Sequence, residues 1–317
     1  MNKHNLGLRL MMSLAFIVGF SVICSAQATR TWVSGTGDDA NPCSRTAPCK
    51  TFQGAISKTA TGGEIDVIDP GGFGAVTITK SISIEADPFM GGVLTSGTNG
   101  IVVNAPAGSS VTLRGLTFEG FGNGLDGILF NGGGELHVEH CYINAYGSNG
   151  IEFTPSAAGQ SQLFVKDTVI RNVTATIGSN PVGGIYVHPQ TGATAIASID
   201  NCRIEKNMIG LRVTDNAAAT IYRSIISANN KGIAANSTSA SATIHVEACI
   251  VAFNTGTGIQ STGPSATVTI SNNVVTANKA GLVSGGAGNG TIVSYGQNKI
   301  YGNTSTDGAP TSVVSPV

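Results

Sequence analysis

ATIHVEACIVAFN (residues 242–254) is answered by ATVTISNNVVTAN (266–278), and the two align residue for residue. In each, apolar and polar residues alternate at first, the period-2 mark of a strand buried on one face. Each then passes through a pair of β-branched residues and closes on Asn254 or Asn278. Working outward, the same unit recurs behind Gly-Ile or Gly-Leu: Gly100-Ile101, Gly127-Ile128, Gly150-Ile151, Gly184-Ile185, Gly210-Leu211, Gly232-Ile233, Gly258-Ile259 and Gly281-Leu282. The mean step is about 26 residues, within the range of one solenoid coil. No stretch past residue 61 keeps a helical period, so an all-β parallel solenoid is expected rather than an α/β one.

Aligning the units yields columns. Leu113, Val138, Val165, Ile199, Ile221, Val246, Ile270 and Tyr295 share one position. Phe118, Ile143, Ile170, Ile204, Ile226, Val251, Val275 and Ile300 share another. With coils about 4.8 Å apart, each set is expected to stack inside the solenoid, because a single coil cannot bury its own apolar face. Asn207, Asn229, Asn254, Asn278 and Asn303 each follow the inward aliphatic by three residues and should form an amide ladder.

The Gly-Ile…Thr-Ile…Asn…Ile…Asn pattern resembles the right-handed parallel β-helix repeats of the pectin-lyase-like superfamily, over roughly residues 30–303. TWVSGTGDDANPCSRTAPCKTFQGAI (31–56) resembles the opening of secreted bacterial β-helix proteins, including some polysaccharide lyases and epimerases. That resemblance implies an extended segment and a short helix closing the first coil. Phe52, Ala55, Ile56 and Thr59 do share a helical face. A cap is needed because an open end exposes core and unpaired strand. The expected fold is an all-β, single-stranded right-handed parallel β-helix at 62–303. A disulfide-bearing cap at 29–61 precedes it and a tail at 304–317 follows.

Residues 1–28 read as a signal peptide: a basic start from Lys3 to Arg9, an apolar run from Leu10 to about Val22, then Ala26-Gln27-Ala28. The run is too short for a transmembrane segment. The expected location is exported: periplasmic, secreted or cell-surface. Without Lys3 and Arg9 the chain keeps 15 basic and 18 acidic residues, and no basic stripe argues for a nucleic-acid partner.

Cys43 and Cys49 stand six positions apart in a Pro-containing loop of an exported chain, which favours a disulfide, contributing roughly 2–3 kcal/mol. A metal site is the rival, with no His or third Cys nearby. Cys141, Cys202 and Cys249 align at one inward position, with Thr168 and Ser224 on the coils between. Two coils is about 9.6 Å, beyond disulfide reach, so buried free thiols are expected.

Superfamily lyases commonly use Ca²⁺ held by acidic residues with an Arg or Lys base, and its glycosidases use clustered aspartates. No complete set of either kind is present, so catalysis is left open and Ca²⁺ is expected only for a lyase-like site. Asp38-Asp39 reads as turn chemistry. Glu152, Tyr186 and Arg212 should lie outward on adjacent coils, with His188 and Asp215 at or beyond the strand end and the long 172–183 loop beside them. A ring among charged groups suits a polysaccharide partner. Tyr186 would stack on a sugar, Arg212 pair with a uronate carboxylate, and Glu152 or Asp215 act as base or Ca²⁺ ligand. The competing assignment is an ordinary solvated face on a non-catalytic surface, adhesion or scaffold module. Arg114, Glu139, Lys166 and Asp200 form a second outward set of alternating sign, expected as a structural salt-bridge ladder. His137 and His245, four coils apart, are too distant to share a metal.

Overall fold

The structure, a computed structural model, describes residues 27–173, 183–285 and 289–315. Most of the expected signal peptide and most of the long 172–183 loop lie outside the described residues. Three parallel sheets form the walls of a solenoid, with 12 strands in the first, 9 in the second and 10 in the third among the described residues. One coil runs through Ile209–Val213 in the second sheet, Ala217–Tyr222 in the first and Ile225–Ser227 in the third.

The alternation decides which side chains go inward. In Ala242–Glu247, Ala242, Ile244 and Val246 are buried while Thr243, His245 and Glu247 face out. Two corners per coil then use a single residue in the left-handed region. At one corner stand His140, Asp167, Asn201, Arg223, Ala248 and Asn272, with φ from 47° to 53°. At the other stand Phe121, Ala145, Asn172, Lys206, Ala228, Phe253 and Ala277. A non-Gly residue there costs about 1–2 kcal/mol. The freed N–H is not lost, since Arg223 N donates to Glu247 O at 3.2 Å and Ala248 N to Ser271 O at 3.2 Å on the following coil.

The recurring glycines answer a different need, which is room. A Cβ on Gly127, Gly210 or Gly232 would sit 2.4–2.6 Å from the carbonyl oxygen of the next Gly in the column. The same hypothetical atoms on Gly184, Gly210, Gly232, Gly258 and Gly281 would lie 2.7–3.3 Å from the amide nitrogens of Asn207, Asn229, Asn254, Asn278 and Asn303. The Gly and Asn motifs recur together because each occupies the space beside the other.

The amide ladder forms in full. Asn229 donates its backbone N–H and its Nδ2 to Asn254 Oδ1, both at 3.0 Å, and a second Nδ2 hydrogen to Ile204 O at 3.1 Å. Its own Oδ1 accepts from Asn207 N and Nδ2. The last rung is Asp307, whose Oδ1 accepts from Asn303 N and Nδ2 at 2.9 and 2.8 Å. An acceptor-only side chain suffices there, whereas an interior rung must also donate. Asn229→Ala should therefore strand buried donors on Asn207 and the Ile204 carbonyl, costing about 3 kcal/mol in denaturant unfolding. A loss below about 1 kcal/mol would mean the ladder is decorative.

Both aliphatic columns stack as expected apart from the last rung of the first, where Ser294 rather than Tyr295 pairs with Ile270. The final corner holds one extra residue. Ser294 Oγ accepts from Gly296 N and Asn298 Nδ2 there, and Tyr295 is turned to solvent. Counting back from Ile300 missed this insertion. The expected C-terminal tail is partly structured: Ser312–Val313 pairs with the Thr291–Ser294 strand, and Gly281 N and Leu282 N donate to Thr306 O and Asp307 O.

At the other end, the α-helix Phe52–Ile56 buries Phe52, Ala55 and Ile56 over the first coil, with Phe52 tilted against Phe73. Thr51 Oγ1 caps it by accepting from Gly54 N at 2.9 Å. Asp38 Oδ1 accepts from Ala40 N at 2.9 Å, the turn chemistry its sequence setting implied, while Asp39 accepts from Lys50 N, Thr51 N and Thr51 Oγ1 and tethers that turn to the start of the helix. Cys43 and Cys49 are disulfide-bonded. Cys141, Cys202 and Cys249 are buried free thiols. Burial pushes Cys141 and Cys202 up to about 12 and Cys249 up to about 11. Native thiol labelling at pH 8 should leave all three unmodified until denaturation, because neither access nor thiolate is provided. Rapid native labelling would show the inward register to be wrong.

Candidate functional site

The register of the second sheet sets Glu152 opposite Tyr186 and Tyr186 opposite Arg212 on successive coils. They face outward because Ile151, Phe153, Ile185, Val187, Leu211 and Val213 take the inward places of the same strands. His188, just past the Gly183–Val187 strand, stacks on Tyr186 at 3.9 Å and 19°. Its Nε2 lies 2.7 Å from Glu152 Oε1. The Arg212 guanidinium lies 4.7 Å over the Tyr186 ring, a cation–π contact. Four of the five expected residues thus form one cluster. Asp215 does a different job: its carboxylate accepts from Thr238 N at 2.8 Å, Thr238 Oγ1, and Ser239 N and Oγ at 3.1 Å. These bonds tie a corner to the next coil and outweigh burial, holding Asp215 below the usual carboxylate range.

Beneath the cluster lies a residue that the sequence reading missed. Asp126 is only 6% exposed, and its Oδ1 accepts from Asn149 N at 3.0 Å and Asn149 Nδ2 at 3.1 Å. The same Asn149 Nδ2 reaches Glu152 Oε2 at 3.3 Å, while Asn149 Oδ1 accepts from Gly183 N. Asp126 Oδ1 and Glu152 Oε2 therefore flank one amide nitrogen. Burial, with the Glu152 charge second, pushes the Asp126 carboxyl up to about 7. Burial acts on Glu152 in the same direction. Its bonds to His188 and Asn149, with the His188 charge and the neighbouring Asp126 carboxyl, overcome that and leave it below its ordinary value. The missed signal was the residue before each recurring Gly. Asn99, Asp126 and Asn149 make a second polar ladder there, with Asp126 N donating to Asn99 Oδ1 at 3.0 Å.

This donor set does not suit Ca²⁺, which wants six to eight oxygens. Asp126 Oδ1 and both Glu152 oxygens already have nitrogen partners, and the Asn149 oxygen is taken by a backbone N–H. Among the described residues no group of three or more His, Cys, Asp or Glu is placed to hold a metal.

The alternating charge set stays in register, Arg114 beside Glu139, Glu139 beside Lys166 and Lys166 beside Asp200, yet it is not a salt-bridge ladder. Arg114 pairs with Asp87 at 3.3 Å and Glu85 at 4.0 Å, and Asp200 with Arg223 at 2.6 Å. The corner residues Asp87 and Arg223 capture these charges because they project beside the column, while Glu85 is Arg114's own column neighbour on the preceding coil. His140 does likewise, bridging Asp87 at 3.0 Å and Asp167 at 3.2 Å.

Among curated proteins none matches. Among solved structures, a pectate lyase, Pel9A, superposes with a TM-score of 0.58 at 15% identity, covering 91% of this chain and 80% of that one. A GH136 lacto-N-biosidase from Eubacterium ramulus reaches 0.47 at 11% identity, with 90% and 67% covered. The periplasmic alginate epimerase AlgG reaches 0.36 at 12% identity, with 79% and 75% covered. At 15% identity the likeness to Pel9A is one of fold alone. The family described as right-handed β-helix region matches residues 93–245 and, overlapping, 157–305, the stretch that carries the Gly column, the amide ladder and the site. The chain therefore belongs to the right-handed β-helix family, with the pectin-lyase-like fold.

Proposed function

We propose that this is an exported glycan-directed protein whose second-sheet face binds acidic polysaccharide. One observation carries the reading: a guanidinium and an imidazole meet on a single tyrosine ring on the outer face of a sheet. Such a surface offers an anionic sugar both charge and an apolar wall. The ring is already engaged by His188 and Arg212, so a sugar would meet the assembled stack rather than a bare Tyr186 face. Glu152, linked to His188 directly and to Asp126 through Asn149, is the group positioned to move a proton if the bound glycan is also cleaved. The cap disulfide supports an oxidising compartment, hence export. The sugar-acting proteins that share the fold lend weight to a glycan, though none supplies a residue of this site.

The test is a screen of the purified protein against polyuronates and neutral glucans, with and without Ca²⁺, following both binding and release of products. Polyuronate should bind, and Arg212→Ala should weaken it at least tenfold with little change in Tm. Arg114→Ala and Lys166→Ala should bind as the wild type does. Loss of binding with the latter pair alone would place the site on the first sheet. A complete absence of binding would favour a non-catalytic surface or scaffold module. That second reading draws on one observation, that the Glu152 oxygens and the Tyr186 ring already have protein partners.

A further inference from the structure

Two carboxylates that face one amide nitrogen repel each other strongly if both are ionised. Asp126 Oδ1 and Glu152 Oε2 are so placed, accepting from Asn149 Nδ2 at 3.1 and 3.3 Å. Asp126 sits where water cannot easily relieve a second charge, being 6% exposed and capped by Asn149, itself 5% exposed. Burial and the close second carboxylate favour a single negative charge on the pair, and the upward displacement of Asp126 agrees with it.

We propose that Asp126 is a specificity-determining residue: by sharing a proton with Glu152 it keeps the pair at a single negative charge and so lets the face accept anionic sugars. The inference rests on the glycan-binding reading and deepens it. The charged and titratable groups around the pair are few. His188 faces Glu152 from the next coil, Arg212 stands one coil further on, and the Tyr146 hydroxyl lies on the Asp126 side, bonded to Thr95. Glu119 lies near Tyr146 and is bonded to Asn144. With the proton in place, the pair carries one negative charge and the Arg212 guanidinium offsets it. Without it, two carboxylates oppose an incoming uronate at a few ångströms. The affinity for a polyuronate should accordingly fall as pH rises through neutrality, and binding should take up protons.

Asp126→Asn isolates the effect. An amide is neutral, as the protonated acid is, and can still accept from Asn149, so the fold is kept while the titration is removed. The first arm needs no ligand: ¹³C-carboxyl NMR titration of the full protein. The wild type should show an Asp resonance titrating near neutrality with a Glu resonance responding to it, and both features should vanish in Asp126→Asn. Completion of every carboxyl titration below pH 5 would overturn the proposal. The second arm measures polygalacturonate binding at pH 6 and pH 8. The wild type should lose at least fivefold between the two, and Asp126→Asn should lose less than half that on a logarithmic scale. Equal losses would overturn the proposal while leaving the glycan reading standing. A wild type that shows the shared titration but binds polygalacturonate at neither pH would overturn both the reading and the specificity role.

Discussion

Ile226→Asp should cost at least about 5 kcal/mol at pH 8, among the most damaging single changes available to this chain. Ile226 is fully buried and packs in the column between Ile204 and Val251. No cation or donor in that column can receive a carboxylate, so the aspartate must either bind a proton or force the coil open. The defect should ease at pH 4–5, where the acid form carries no charge. It should also spread to adjacent coils, because each coil is held by its neighbours. Ser227→Asp, one residue on, is the comparison. Ser227 points outward beside Glu205, so the added charge meets one like charge at the surface and should cost less than about 1 kcal/mol. Chemical denaturation of the two variants at both pH values checks the alternation directly; equal losses would refute it.

Replacing Asp126 should remove a pH dependence of stability that runs opposite to that of an ion-paired surface carboxylate. Its folded-state pKa is raised from 3.8 to about 7. The folded protein therefore holds this proton more tightly than the unfolded chain does. The stabilisation is complete below about pH 4 and is lost as pH rises through 7. At 1.36 kcal/mol per unit, the loss approaches about 4 kcal/mol by pH 8. Asp126→Asn does not titrate. Measured against its own value at pH 4, it should gain about that much on the wild type by pH 8. A gap that stays constant from pH 4 to pH 8 would show that Asp126 ionises normally. His140, raised chiefly by its bond to Asp87, adds a smaller dependence of the same sign, lost above its own folded pKa and equal in both proteins.

Period alone made most of this fold legible. A strand period of two and a coil period near 26 leave each residue only one column, so the aliphatic stacks, the amide ladder and the buried thiols could be read before any coordinates. The same arithmetic brought Glu152, Tyr186 and Arg212 together from three separate stretches. It failed wherever position in the column does not fix the partner. Arg114 pairs with the corner residue Asp87 and with Glu85 on the preceding coil, and Asp200 with the corner residue Arg223, rather than with Glu139 and Lys166, because long side chains reach sideways as easily as along the axis. Tyr295 lost its place to a one-residue corner insertion that alternation cannot detect. Asp215 shares its stretch with Arg212 but serves the next coil through Thr238 and Ser239. Asp126 escaped notice because the glycine after it set the repeat, and the residue before a marker was not itself aligned.

Hydrogen–deuterium exchange with and without polygalacturonate tests most directly whether the second-sheet face is the site. Peptides covering Ile151–Phe153, Gly183–Val187 and Ile209–Val213 should gain protection together on binding, since the register places them side by side. Peptides covering Glu135–Glu139 and Ala193–Asp200 on the first sheet should be unchanged. Protection confined to the first sheet, or none anywhere at saturating ligand, would contradict the account.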